Sequence, residues 1–145
     1  MIDFSKIECV GCTACASICP KSVIKMKNDK EGFLHPSIDN PEKCIECGLC
    51  EKACPVLNNK PEEKREDQAY IVQNTDKQIR KESASGGMFS AIAISVLRNN
   101  GIVYGAAYDD NFFVKHIAVK DEKELWRLRN SKYVQSNLTD VFRDV

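Results

Sequence analysis

The sequence predicts an α+β chain built in two unequal parts, and three features of it do so. All eight cysteines fall within the first 57 of the 145 residues. Residues 58–67 (Asn-Asn-Lys-Pro-Glu-Glu-Lys-Arg-Glu-Asp) are polar throughout and interrupted by Pro61, so they have nothing to bury and mark a boundary. Beyond residue 68, short strand-like runs alternate with helix-like ones. The expected organisation is therefore a cysteine-rich part at 1–57, a linker at 58–67 and an α+β part at 68–145.

The cysteines form two matching runs: Cys9, Cys12, Cys15 and Cys19 before Pro20, then Cys44, Cys47, Cys50 and Cys54 before Pro55. A single offset of 35 residues superposes them, as an internal duplication would. Three thiols at three-residue spacing can curl around one corner of a compact metal–sulfur centre, with the intervening amides turned toward its sulfurs. Zinc is the competing metal, but it usually takes separated Cys-x-x-Cys pairs and needs neither the third close cysteine nor the trailing Cys-Pro. A disulfide framework would suit an exported chain. Met1 to Glu8 has neither a basic nor an apolar signal region, so reduced thiols and a cytoplasmic setting are expected.

The spacing Cys-x-x-Cys-x-x-Cys-x-x-x-Cys-Pro resembles that of bacterial two-cluster ferredoxins. In that pattern the fourth cysteine of each run ligates the other cluster. The resemblance thus implies two [4Fe-4S] clusters, one on Cys9, Cys12, Cys15 and Cys54 and the other on Cys44, Cys47, Cys50 and Cys19.

In chain order, Ile2, Phe4 and Ile7 suggest a short opening strand. Residues 22–27 and 33–38 flank Asn28-Asp29-Lys30-Glu31-Gly32 as a hairpin, with Pro36 near an edge and His35 an ordinary hairpin residue. In the second part Ala69 to Gln73 is strand-like, and Thr75 with Asp76 caps a short helix through Lys81. Ser83 to Gly87 opens a helix whose Met88, Phe89, Ile92, Ile94, Val96 and Leu97 predict burial on more than one side. Asn99-Asn100-Gly101 ends it. Strands at 102–108 and 113–119 follow, joined by the turn Asp109-Asp110-Asn111, and Asp121 caps a helix carrying Leu125, Trp126 and Leu128. Leu138, Val141 and Phe142 begin a further helical pattern.

Charge narrows the function. Lys+Arg and Asp+Glu number 21 each, which argues against nucleic acid or an anionic membrane as a partner. Within residues 1–57 the count is seven lysines against eight acids, which favours a wiring module fixed to its partner over a steered, strongly acidic shuttle. The apolar run from Met88 to Leu97 is far shorter than the ~20 residues of a spanning helix, so no membrane span is expected.

Two stretches stand out beyond the cysteines. Ser85-Gly86-Gly87 sets a hydroxyl and two bare backbone units at a helix N-terminus, where a phosphate would be favoured; a plain serine-and-glycine helix start has the same composition. Ser131-Lys132-Tyr133-Val134-Gln135-Ser136 gathers a cation, a phenol, an amide and hydroxyls, suited either to an anionic or flavin-sized ligand or to a solvated connection. No Gly-x-Gly-x-x-Gly and no Gly-Lys-Ser/Thr occurs, and His116 reads as a surface residue of its strand.

The order of these parts resembles the beta-subunit family of coenzyme F-420 hydrogenases and dehydrogenases. The matching stretches are Ile79-Arg80-Lys81, Ser83 to Phe89, Tyr104 to Tyr108 and Leu128 to Ser136. The resemblance implies that the second part is the start of an α+β flavin-type oxidoreductase domain in which FAD exchanges electrons with the clusters. Ser85, Gly86, Gly87, Ser131, Lys132, Tyr133 and Ser136 then become flavin-site candidates. A redox partner protein or subunit and a small-molecule electron acceptor are implied too, so that the chain would be an oxidoreductase subunit. Family members run on past Val145, so the resemblance implies either a fragment or a truncated gene product. The alternative is a non-catalytic ferredoxin-like carrier with a C-terminal docking domain.

Overall fold

The computed structural model describes residues 2–59, 66–138 and 141–145. They belong to two compact units, Met1–Glu63 with Leu138–Val145, and Lys64–Asn137. Most of the expected linker, 60–65, lies outside the described residues. Residues 138–145, read from the sequence as continuing the second part, group with the first unit instead.

In the first unit the opening strand is not formed. Asp3 accepts the amide and hydroxyl of Ser5 on Oδ1 (3.1 and 2.6 Å), and this local turn tightens Phe4–Lys6 into a 3-10 helix. The first cysteine loop runs into α1 (Ala14–Ile18). Then β1 (Ile24–Asn28) pairs antiparallel with β2 (Leu34–Ile38), Ile24 opposite Ile38 and Asn28 opposite Leu34. Pro36 stands opposite Met26; in a two-stranded sheet every strand is an edge, so its missing N–H is tolerated. The second cysteine loop leads to α2 (Leu49–Lys52), and a late helical turn, Val141–Asp144, ties back through Arg143 Nε, which donates to the Ser17 carbonyl at 3.4 Å. Cys15, Ala16, Val23 and Ile24 form the core, with Cys19, Cys44 and Cys50 packed against it.

The second unit opens with α3 (Lys77–Lys81), whose first amides, of Gln78 and Ile79, are capped by Asp76 as expected. Residues 69–73 form no strand. Their backbone is used otherwise, since Asn74 N donates to Gly86 O at 2.7 Å and the Val72 carbonyl lies against Gly86; a β-prone run without a neighbouring strand has nothing to pair with. Helix α4 (Met88–Arg98) ends where Asn100, at φ 59°, turns the chain and Gly101 N reaches back to Val96 O at 2.9 Å. Within this unit α4 is buried along one face, through Ser90, Ala93 and Leu97, while Met88, Phe89, Ile92 and Val96 remain exposed. The expected burial on several sides fails because the unit offers it only a two-stranded sheet, β3 (Val103–Tyr108) with β4 (Val114–Val119).

Both hairpins turn on the same device. Asp29 Oδ1 accepts from Glu31 N and Phe33 N (both 2.9 Å), and Asp109 Oδ1 accepts from Asn111 N and Phe113 N (2.9 and 3.0 Å). The segment after Asp121 is a 3-10 helix, Glu122–Leu128, not an α-helix. Its tighter winding buries Leu125 and Leu128 against Ala93, Leu97, Ala107 and Val119, while Trp126 stays outside. His116 is half-buried, with Nδ1 2.8 Å from Ser136 Oγ, because Ser136 and Asn137 lie beside β4, Asn137 bridging to it in parallel. It is not the surface residue expected.

Candidate metal centres

The two cysteine loops fold as copies. Gly11 and Thr13 in the first have φ of 66° and 65°, and their equivalents 35 residues on, Glu46 and Gly48, have 52° and 70°. Left-handed backbone at these points rolls successive amides toward the inside of the loop, where they face the thiols. Gly11 N already donates to Cys9 Sγ at 3.4 Å.

Folding sorts the eight thiols into two sets of four. A cavity of about 100 Å³ is lined by Cys44, Cys47 and Cys50 of the second run and by Cys19 of the first, with Val23 and Ile24 in its wall. Another, of about 20 Å³, is lined by Cys9, Cys12 and Cys15 together with Cys54, against Phe4 and Met26. All eight cysteines are free of disulfides. Among the described residues no group of three or more His, Cys, Asp or Glu is placed to hold a single ion.

Electrostatics fit as well. Burial pushes the Cys15 thiol up to about 11, and burial also raises Cys50. Burial acts on Cys19 too, but the amides of Val23, Lys21, Ile24 and Ser22 outweigh it and hold this thiol below its ordinary range. Apolar walls, four thiols and inward amides are what an iron–sulfur cluster requires.

Comparison with known proteins agrees. A 4Fe-4S dicluster domain matches residues 8–58, and a second 4Fe-4S dicluster domain matches 40–109. An uncharacterized ferredoxin of Methanocaldococcus jannaschii is 33% identical over 55 residues, 38% of this chain and 81% of that protein. The chain belongs to the 4Fe-4S dicluster ferredoxin family. This ferredoxin part also resembles an uncharacterized polyferredoxin-like protein of Methanocaldococcus jannaschii (35% over 57 residues, 34% of each chain). The NADH-quinone oxidoreductase subunit I of Pelobacter propionicus is 40% identical over 57 residues, 34% of this chain and 31% of that one. The dicluster ferredoxin chain thus spans about a third of the length of these two relatives. Residues 55–109 of the second match contain no cysteine, so the thiols number eight and suffice for two [4Fe-4S] clusters.

Among the described residues of this ferredoxin-family chain no helix is long and apolar enough to cross a membrane. In its second unit a cavity of about 290 Å³ brings together Ser85, Gly87 and Ser131 of the residues singled out from sequence. Gly86 does not line it, its α-carbon being held against the Val72 carbonyl, and Gly87, at φ 78°, is the N-cap of α4. Lys132, Tyr133 and Ser136 do not line it. Tyr133 is exposed, Ser136 is engaged with His116, and Lys132 Nζ donates to the carbonyls of Arg127, Arg129 and Asn130 (3.1, 2.8 and 3.1 Å). Two residues not picked out from sequence do line it, Ser90 and Arg129. Ser90 Oγ and Arg129 Nε are buried without a partner among the described residues, although Arg129 Nη1 is paired with Glu82. A serine three residues into an apolar helix gives no signal in sequence, because only the fold turns it toward a cavity.

Proposed function

We propose that this dicluster ferredoxin chain passes single electrons through its two clusters to or from a flavin held by the second unit, as part of an oxidoreductase. In this proposal Cys9, Cys12, Cys15 and Cys54 hold one cluster, and Cys44, Cys47, Cys50 and Cys19 the other. The observation that carries it is the sharing of each four-thiol cavity between the two runs. Each cluster exchanges one electron at a time and a flavin two, which is the use of joining them.

The flavin reading is supported by the cavity at the head of α4. Its first-turn amides have no partner within the helix, and the positive end of the helix dipole, Ser90 Oγ and Arg129 Nε add donors suited to a diphosphate. The likeness to the beta subunits of coenzyme F-420 hydrogenases and dehydrogenases points the same way. Residues 1–57 then act as the ferredoxin domain and those from 68 on as the beginning of the flavin domain. The NADH-quinone oxidoreductase relative supports a protein redox partner.

Isolation without oxygen tests the proposal. Eight irons, acid-labile sulfide and stoichiometric FAD that takes electrons from the reduced clusters are expected. Iron and sulfide with no FAD binding would leave a non-catalytic carrier, in which the second unit serves only for docking.

A further inference from the structure

Thr13 and Gly48 are equivalent positions of the two loops, and at this one the first copy bears a cost that the second does not. Thr13 holds φ 65°, is 1% exposed, and lines the cavity of Cys9, Cys12, Cys15 and Cys54. Its Oγ1 is buried with no hydrogen-bond partner among the described residues. Left-handed backbone is unfavourable for a β-branched residue, and an unpartnered buried hydroxyl is unfavourable for any fold. The other copy avoids both with Gly48 at φ 70°. Space does not dictate glycine there, since a Cβ at 48 would meet nothing within 4 Å. What the first loop keeps at a double cost is a buried, unpartnered hydroxyl on a residue that lines the four-thiol cavity.

We infer that Thr13 Oγ1 donates a hydrogen bond to a sulfur of the cluster on Cys9, Cys12, Cys15 and Cys54, and so raises that cluster's reduction potential above that of its neighbour. One-electron reduction adds negative charge that spreads over the sulfurs, and a donor stabilises the reduced form more than the oxidised one. The O–H bond stays intact and no proton is transferred; only the electron moves. Gly48 leaves the equivalent place on the other loop without a side-chain donor, so an electron entering the pair comes to rest preferentially on the Thr13 side. Thr13 is a positioning residue that gives the pair a direction. The inference rests on the proposed ligand sets.

The test is a redox titration followed by EPR on the full chain, prepared anaerobically, as wild type and as Thr13→Val, Thr13→Gly and Thr13→Ser. The Val and Gly variants should lower the midpoint of one cluster by about tenfold in its reduction equilibrium, which is about 59 mV for one electron, and leave the other where it was. Ser should restore the wild-type value. Gly removes the strain as well as the hydroxyl and is the residue the second loop carries at the equivalent position, so it keeps the test valid if Val does not fold. The cluster that shifts should be the one whose signal disappears in Cys54→Ala. Midpoints within about twofold of wild type in both Val and Gly would overturn the role of the hydroxyl while leaving the ligand sets standing. A shift in the cluster that survives Cys54→Ala would overturn the placement of Thr13.

Discussion

Gly86 lies against the carbonyl of Val72 so closely that a methyl group at 86 would stand 2.3 Å from that oxygen. With the hydrogen bond from Asn74 N to Gly86 O, this contact packs residues 72–74 against the turn that leads into α4. Gly86→Ala must therefore push residues 72–74 away, at a cost of about 1–3 kcal/mol. Thermal unfolding should show the second unit melting earlier. Cluster EPR should not change, because no cysteine lies in that unit.

Removing Cys54 should damage the cluster of Cys9, Cys12 and Cys15 and spare that of Cys44, Cys47 and Cys50, and Cys19→Ala should do the reverse. Iron should fall from eight per chain toward four in each variant. EPR of the reduced proteins identifies the survivor. Loss of the cluster belonging to the mutated run itself would refute the crossed ligand sets.

Iron removal should unfold the first unit. Cys15 belongs to its core, Cys19, Cys44 and Cys50 pack against it, and a domain of this size has little other apolar mass to bury. Anaerobic treatment with a chelator should abolish amide-exchange protection in β1 and β2. Protection in α4, β3 and β4 should persist, since that unit has its own core of Ala93, Leu97, Ala107, Val119, Leu125 and Leu128. Retained protection in β1 would show that the clusters are not structural.

Lys132 fastens the loop that presents Arg129. Replacing it with Met leaves the carbonyls of Arg127, Arg129 and Asn130 without their donor, a loss of about 1–3 kcal/mol. Arg129→Gln should leave the fold in place and weaken FAD or ADP by about tenfold, as expected for one charged hydrogen bond, with riboflavin, which lacks a phosphate, unaffected. Calorimetric titration of each ligand checks this. Equal effects on FAD and riboflavin would place Arg129 away from the phosphates.

Asp29 gives the first hairpin an acid limit. The Phe33 amide, with those of Glu31 and Gly32 and the nearby His35 ring, holds its carboxyl below the usual carboxylate range despite some desolvation. A carboxyl with a depressed folded value adds stability that is complete above its unfolded value and lost as pH falls through the folded one. The wild type should thus lose stability on acidification in a way that Asp29→Asn does not. Denaturant midpoints across the acid range measure the difference.

The sequence alone determined the chemistry of the first unit. Thiols at fixed short spacing, repeated at one offset, leave few metals that fit, and the hairpin with its Asp29 turn is local enough to be legible in the residues that make it. Its reach ended where backbone had to choose a partner. Ile2, Phe4 and Ile7 have the apolar pattern of a strand but pair with no strand among the described residues, and Tyr70 to Val72 fare the same way. Tertiary structure gathered into two cavities the crossed cysteine sets that the resemblance implied, and it alone placed Ser90, Arg129 and Thr13 along cavity walls. Spacing along a chain constrains which atoms can share a centre, but which buried polar group is left without a partner depends on everything packed around it.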